Sequence, residues 1–192
     1  MKIRSTAALA VALSLSSTAA LADSESWYTY WALGVSNSKL PSGFEAVFDS
    51  YERAGGSRTG IGLDMLGFYW PMDNERTAIG FVITSSADAI EAQGNRFQLT
   101  QYTYGLSTMH FFGNEIGDGA FLRGDLGMAR GVITADLGGD AASKWGYGTM
   151  VGAGYGWPIS TGTRILLSLD YSVRRIESET YTSGRISVGG LW

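Results

Sequence analysis

The chain has 192 residues, with 14 Lys or Arg against 18 Asp or Glu, a formal charge of −4 and no cysteine. Mild acidity without a basic run argues against a nucleic-acid partner, and the lack of Cys excludes a disulfide framework and thiolate metal sites. A hydrophobic content of 45% suits a soluble domain, and equally a membrane barrel in which only alternate residues face lipid.

Lys2 and Arg4 precede an apolar run over 7–15 and a small-x-small site at Ala20-Leu21-Ala22. This is the pattern of a cleaved secretory leader. Residues 1–22 are read as that leader and 23–192 as one exported domain. The apolar run is too short to cross a bilayer as a helix, and no other stretch offers about 18 unbroken apolar residues.

Eight strand-like runs follow, each alternating with period two. The first, 27–35, puts Trp27, Thr29, Trp31, Leu33 and Val35 on one face. The second, 59–70, sets Ile61, Leu63, Met65 and Tyr69 against Gly60, Gly62, Asp64 and Leu66, and ends in a turn at Pro71. The third, 76–84, sets Thr77, Ile79, Phe81 and Ile83 against Arg76, Ala78, Gly80 and Val82. The fourth, 97–112, sets Tyr102, Tyr104, Leu106, His110 and Phe112 against Gln101, Thr103, Ser107 and Met109. In the fifth, 120–132, Leu122, Leu126 and Met128 oppose Arg123, Asp125 and Gly127.

The sixth run, 145–157, reads WGYGTMVGAGYGW. One face is Gly throughout except for Met150; the other carries Trp145 and Tyr147 at one end, Tyr155 and Trp157 at the other, and small apolar residues between. Ten residues at about 3.3 Å each, tilted by about 40°, span about 25 Å, the height of a lipid-facing band with an aromatic girdle at each interface. The seventh run, 164–174, opposes Ile165, Leu167, Leu169, Tyr171 and Val173 to Arg164, Ser168, Asp170 and Arg174, and the eighth is 181–192.

Connections alternate in length. Short turns near Pro71, Asn114 and Ser160 alternate with segments 36–58, 85–96, 133–144 and the shorter 175–180. Together these predict an all-β, eight-stranded antiparallel transmembrane barrel with both ends of the chain on the short-turn, periplasmic side. The first long loop predicts a short helix on the extracellular side. Ser42 and Glu45 form a capping box, Phe44, Val47, Phe48 and Tyr51 recur at helical spacing, and Gly55-Gly56 supplies a stop, giving a helix over 43–54. Its apolar face packs on the barrel rim, or else it covers the mouth or offers a binding surface for lipid or a partner.

The row opposite the apolar one decides between a membrane and a soluble barrel. It carries Asp64, Arg76, Arg123, Asp125, Asp170, Arg174 and Arg185. Facing lipid, each charge would cost about 2–4 kcal/mol near the bilayer midplane; facing inward, they can pair across a narrow lumen. The expectation is an ion-paired core that closes the lumen, with a gated conduction path as the alternative use of the same residues.

The last strand ends Arg185-Ile186-Ser187-Val188-Gly189-Gly190-Leu191-Trp192, with Ile186, Val188 and Trp192 on one face. This resembles the C-terminal signal that the barrel assembly machinery reads, except that Gly190 stands where a larger apolar residue is usual. Strand count, loop alternation and terminus make the mature chain similar to the small eight-stranded bacterial outer-membrane barrels of the OmpX, OmpW and OmpA-barrel kind. The resemblance implies an outer-membrane location, with lipid, lipopolysaccharide and the assembly machinery as partners.

No enzyme is expected. The only His, His110, is followed by Phe111-Phe112, without the His-x-Ser pair of a barrel lipid A deacylase, and Ser107 falls on the opposite face. Asp136 and Asp140 alone do not make a cation site, and no metal or cofactor is expected. The functional expectation is a structural or surface-interaction barrel. The alternatives are a narrow channel for small solutes and a lipid A or phospholipid-modifying enzyme.

Overall fold

The computed structural model describes residues 27–192 apart from Leu137; the expected leader, 1–22, lies outside the described residues. The elements in chain order are β1 (Tyr28–Lys39), α1 (Ser42–Arg53), β2 (Thr59–Pro71), β3 (Thr77–Ala92), β4 (Asn95–Phe111), β5 (Gly119–Ala135), β6 (Gly139–Ala142), β7 (Gly146–Ser160), β8 (Thr163–Ile176) and β9 (Glu179–Leu191). Each barrel strand pairs antiparallel with its neighbours, β1 with β9 at one seam and β4 with β5 at the other, so the sheet closes on eight strands. β6 is a four-residue strand added to the far end of β5. Closure leaves the eight strands without an unpaired edge.

The alternation has a physical outcome opposite to that of a soluble protein. Val151 and Leu169 are each 63% exposed, while Arg123 and Asp170 are each 3% exposed. The outward rows of β1, β3, β5, β7, β8 and β9 form a continuous apolar band, far larger than the patches a soluble monomer leaves in water. The band therefore needs an apolar surrounding.

Three features depart from the strand pattern read in the sequence. In β2 the register slips between Asp64 and Leu66. This bulge places one extra residue against β3 and reverses the alternation beyond it. Leu66 consequently points outward, and Tyr69, expected on the outer face, is fully buried inside. Second, 85–96 is no loop: β3 continues to Ala92 and returns through Gln93-Gly94, both at positive φ (52° and 77°). That geometry is a two-residue hairpin turn, which glycine adopts without strain. Third, β5 runs on to Ala135 and folds back as β6. Small outward residues such as Ala87 and Ala89 weaken the alternation where strands rise beyond the apolar band.

The seam between β1 and β9 extends one residue past β9. The Thr29 N–H donates to the Trp192 carbonyl at 2.8 Å, and the Trp192 N–H returns the bond at 3.0 Å. The Trp192 ring stacks on Trp31 with centroids 5.8 Å apart. A Cβ on Gly190 would overlap that ring, which explains why the terminus carries glycine two positions before its end.

The interior has three layers. At the short-turn end Tyr30, Tyr69, Met109, Phe111, Phe121 and Leu166 fill the barrel, and Ile116 from the β4–β5 turn tucks in among them. At the long-loop end Phe48 of α1 joins Ile90, Phe97, Leu99, Ile176 and Tyr181. A polar layer lies between.

Candidate functional site

The polar layer is built around Asp64, brought to the lumen on the last inward position before the β2 bulge and fully buried. Its Oδ2 accepts from Arg123 Nη1 at 2.6 Å, and its Oδ1 from Arg185 Nη1 at 2.7 Å. Arg123 also forks onto Asp125 on its own strand, Nη2 to Oδ2 at 2.7 Å and Nε to Oδ1 at 3.0 Å. Arg185 reaches its direct cross-strand neighbour Asp170 at 2.7 Å. One connected network thus ties β2, β5, β8 and β9 across the lumen. Such charge-assisted, bidentate contacts are the ones able to offset the desolvation of buried ions.

Hydroxyls complete the layer. Tyr69 OH donates to Ser107 Oγ at 2.7 Å, and Ser107 donates on to Asp125. Ser168 Oγ donates to Asp170 at 3.0 Å, and Arg123 Nη1 to the Tyr30 hydroxyl at 3.3 Å. The network needs the bare face of β7: a Cβ at Gly152 would collide with Asp170 Oδ1.

Two expected members of the set behave differently. Arg76 is exposed on the short β2–β3 turn, because β3 begins at Thr77 and Asn74 Oδ1 caps the backbone N–H groups of both Arg76 and Thr77. Arg174 is buried in the lumen, yet among the described residues it meets no carboxylate. It donates to Thr103 Oγ1 at 2.9 Å and Ser172 Oγ at 2.8 Å, one layer closer to the loop end. Beside it, between Ser86, Asp170 and Arg185, is a residual void of about 10 Å³.

The loop end holds charges that the sequence reading missed. Arg58, in the segment before β2, donates through Nε and Nη2 to Asp88 Oδ1 (3.1 and 3.0 Å), through Nη1 to Glu45 Oε2 (3.0 Å) and through Nη2 to the Ser38 carbonyl (2.9 Å). Its guanidinium also lies 4.5 Å from the Phe48 ring centre. Burial pushes the Asp88 carboxyl above its ordinary range, against the pull of Arg58. The inward row Val82, Thr84, Ser86, Asp88 was the available signal, hidden by ending the strand at 84.

The helix begins one residue earlier than the capping box requires. Pro41 is the N-cap and Ser42 makes no side-chain cap; Glu45 Oε1 instead accepts the Leu40 backbone N–H at 2.8 Å. Phe44 packs on Tyr181, Phe48 and Tyr51 pack on Phe97, and Val47 lies against the same cluster. At the other end Arg164 pairs with Glu115 at 3.3 Å over the β4–β5 turn.

Outside, Trp145 and Tyr147 are exposed near the loop end with Tyr104, while Tyr155, Trp157 and the half-buried Trp192 lie near the turn end. His110 sits on the outer wall, its Nδ1 2.9 Å from Thr77 Oγ1 and its ring edge-on to Phe112. Asp136 accepts the Arg96 backbone N–H at 2.9 Å. Among the described residues no three His, Asp or Glu side chains converge on a metal position.

No family model matches the chain, and no curated protein matches it either. Solved structures do. Neisserial surface protein A is 15% identical, with 86% of this chain and 95% of that one covered at a TM-score of 0.57. Ail, the attachment invasion locus protein of Yersinia pestis, is 11% identical, with coverage of 87% and 99% and a TM-score of 0.53. Ail in complex with the heparin analogue sucrose octasulfate gives 0.52 at 10% identity. A closed antiparallel barrel of eight strands, apolar outside and ionic within, is the fold of the small barrels of the bacterial outer membrane, and the outward band of this chain places it in that membrane.

Proposed function

We propose that this chain is a sealed outer-membrane barrel that acts through its loop-end surface, as a structural and surface-interaction protein. The observation that carries this reading is the Asp64 junction. Two guanidiniums on one carboxylate, flanked by Asp125 and Asp170, cross the lumen between two apolar plugs. The void left beside Arg174 is the size of one water molecule. An ion in transit has to open at least one buried pair, and an unpaired buried charge costs several kcal/mol. In this reading the short turns face the periplasm, lipid and lipopolysaccharide surround the band, and β9 with Trp192 is the segment the assembly machinery takes up. Ail, named for attachment and invasion and solved with a heparin analogue, supports an outward-facing role for α1 and the long hairpins.

The test is electrical. Purified barrel in a planar bilayer gives no steady current; resolved single-channel steps establish the narrow-channel alternative instead. Catalysis on lipid finds little support, because His110 binds a threonine on the outer wall with Phe112 against its ring. Lipid A mass spectra from cells with and without the protein are identical in this reading, and a mass difference overturns it.

A further inference from the structure

The outer wall carries a charged feature that a sealed lumen does not require. Arg130 follows Leu126 and Met128 along the outward row of β5 and stands beside Tyr102. Its Nε donates to the Ser143 carbonyl at 3.2 Å, and its guanidinium lies 5.6 Å from the Trp145 ring centre. Arg175 ends the outward row of β8, is exposed, and faces Tyr147 across the β7–β8 pair. Lys144, also exposed, immediately precedes Trp145. Glu177 takes the Lys144 backbone N–H at 3.2 Å. Among the described residues no carboxylate lies within ion-pair distance of any of these three cations.

The three stand close together, whereas Lys39 of β1 and Arg96 of β4 are single exposed cations on their own strands. At the loop end of the opposite wall, β2 and β3 present Ile61, Ala87 and Ala89, and then Glu91. Neighbouring strands lie about 4.8 Å apart, so the rows of Arg130 and Arg175, with β7 between them, are about 10 Å apart. The height is that of the loop-end aromatic belt, where hydrocarbon gives way to headgroups. Unpaired like charges at a low-dielectric boundary repel each other and gain from an anion. A guanidinium steadied on an indole face offers a planar fork suited to phosphate oxygens.

We propose that Arg130, Lys144 and Arg175, with Trp145 and Tyr147, form a site for the phosphorylated headgroup of an outer-leaflet glycolipid. The cations take the phosphates, the aromatic rings take the sugar faces, and the acyl chains lie along the apolar band below. The inference rests on the membrane placement and deepens it by naming the lipid and the side of the barrel it occupies.

The experiment uses the full barrel in phosphatidylcholine nanodiscs, titrated with lipopolysaccharide, with the same lipid after enzymatic removal of its phosphates, and with inorganic phosphate. The wild-type barrel retains the phosphorylated glycolipid. The triple variant Arg130→Gln, Lys144→Gln, Arg175→Gln binds it about tenfold more weakly or worse. A control variant, Lys39→Gln with Arg96→Gln, binds as wild type. Equal retention by wild type and triple variant, or undiminished binding of the dephosphorylated lipid, overturns the site. Tight binding of inorganic phosphate alone also overturns it, in favour of a simple anion site. Failure of wild-type protein to enter nanodiscs at all sinks the membrane placement instead, and unchanged circular dichroism of the triple variant separates lost binding from lost folding.

Discussion

The middle of the lumen and its loop-end cover solve the same problem, burying charge, in different ways. In the middle, every ionic group belongs to a barrel strand, and the carboxylate at the centre is shared by two guanidiniums from β5 and β9. At the loop end, one guanidinium from a connecting segment gathers a helix residue, a strand residue and a backbone carbonyl. The first arrangement is woven into the closed sheet and cannot open without deforming it. The second fastens a separate element, and in the proposed reading it can let go while the barrel stays whole. Rigidity in the centre and detachability at the rim are what the proposed sealed barrel with an outward-facing surface requires.

Removing the central carboxylate is the strongest way to break this contrast. Asp64→Ala breaks two buried ion pairs at once, removing three guanidinium hydrogen bonds and leaving Arg123 and Arg185 with one carboxylate each, and should destabilise the barrel by about 3–5 kcal/mol. The urea midpoint of the folded band in lipid reads this loss; an unchanged midpoint means the lumen is wet. Asp170→Ala should cost less, about 2 kcal/mol, because Arg185 keeps both of its bonds to Asp64. A larger loss than for Asp64→Ala would reverse the order assigned to the two carboxylates.

Arg58→Gln sharpens the other half of the contrast. It should cost the cap about 1–2 kcal/mol and leave the unfolding midpoint of the barrel in place, with protease nicking confined to 42–58. A fall in the barrel midpoint equal to that of Asp64→Ala would show that cap and barrel form one cooperative unit. The smallest effect is a pH dependence. In the docked cap, burial raises the pKa of Asp88 above the 3.8 of a solvated carboxyl. As pH falls through the interval just above that value, the docked state takes up a proton that the released state does not, so docking strengthens on acidification. The chain has no cysteine, so a spin label at Asp49→Cys reports on the helix alone. Its mobility should decrease slightly at mildly acid pH, and an increase would mean that the Arg58 pair outweighs burial.

How far these regions can be read from the residues differs for a physical reason. Alternation along β7 and β8 is legible because both faces are chemically pure: aromatic and aliphatic against Gly, Ser, Asp and Arg. From that parity alone, Asp170, Arg174 and Arg185 fall on the inward side. Which guanidinium meets which carboxylate is not legible, because β2 meets β5 only across the lumen, at a height set by the shear of the whole barrel. Arg174 illustrates the difference: its row is evident, and its hydroxyl partners are not. Tyr69 faces the lumen against its sequence parity because a bulge adds one residue without any Gly or Pro to mark it. Arg58 and Asp88 escape a parity reading because one lies in a connecting segment and the other in a stretch of strand beyond the apolar band, where the outer row turns to alanine and the contrast between faces fades.

The bare face of β7 has a consequence for how this chain can vary. A methyl group at Gly146, Gly154 or Gly156 would run into the backbone of a neighbouring segment, and one at Gly148 or Gly152 into Thr103 or Asp170. The outward positions between them ask only for something greasy. Saturation mutagenesis of 146–157 should therefore give a comb, with near-complete intolerance at each glycine tooth and broad freedom in the gaps. Drift among descendants of this gene would be confined to one side of a single ribbon.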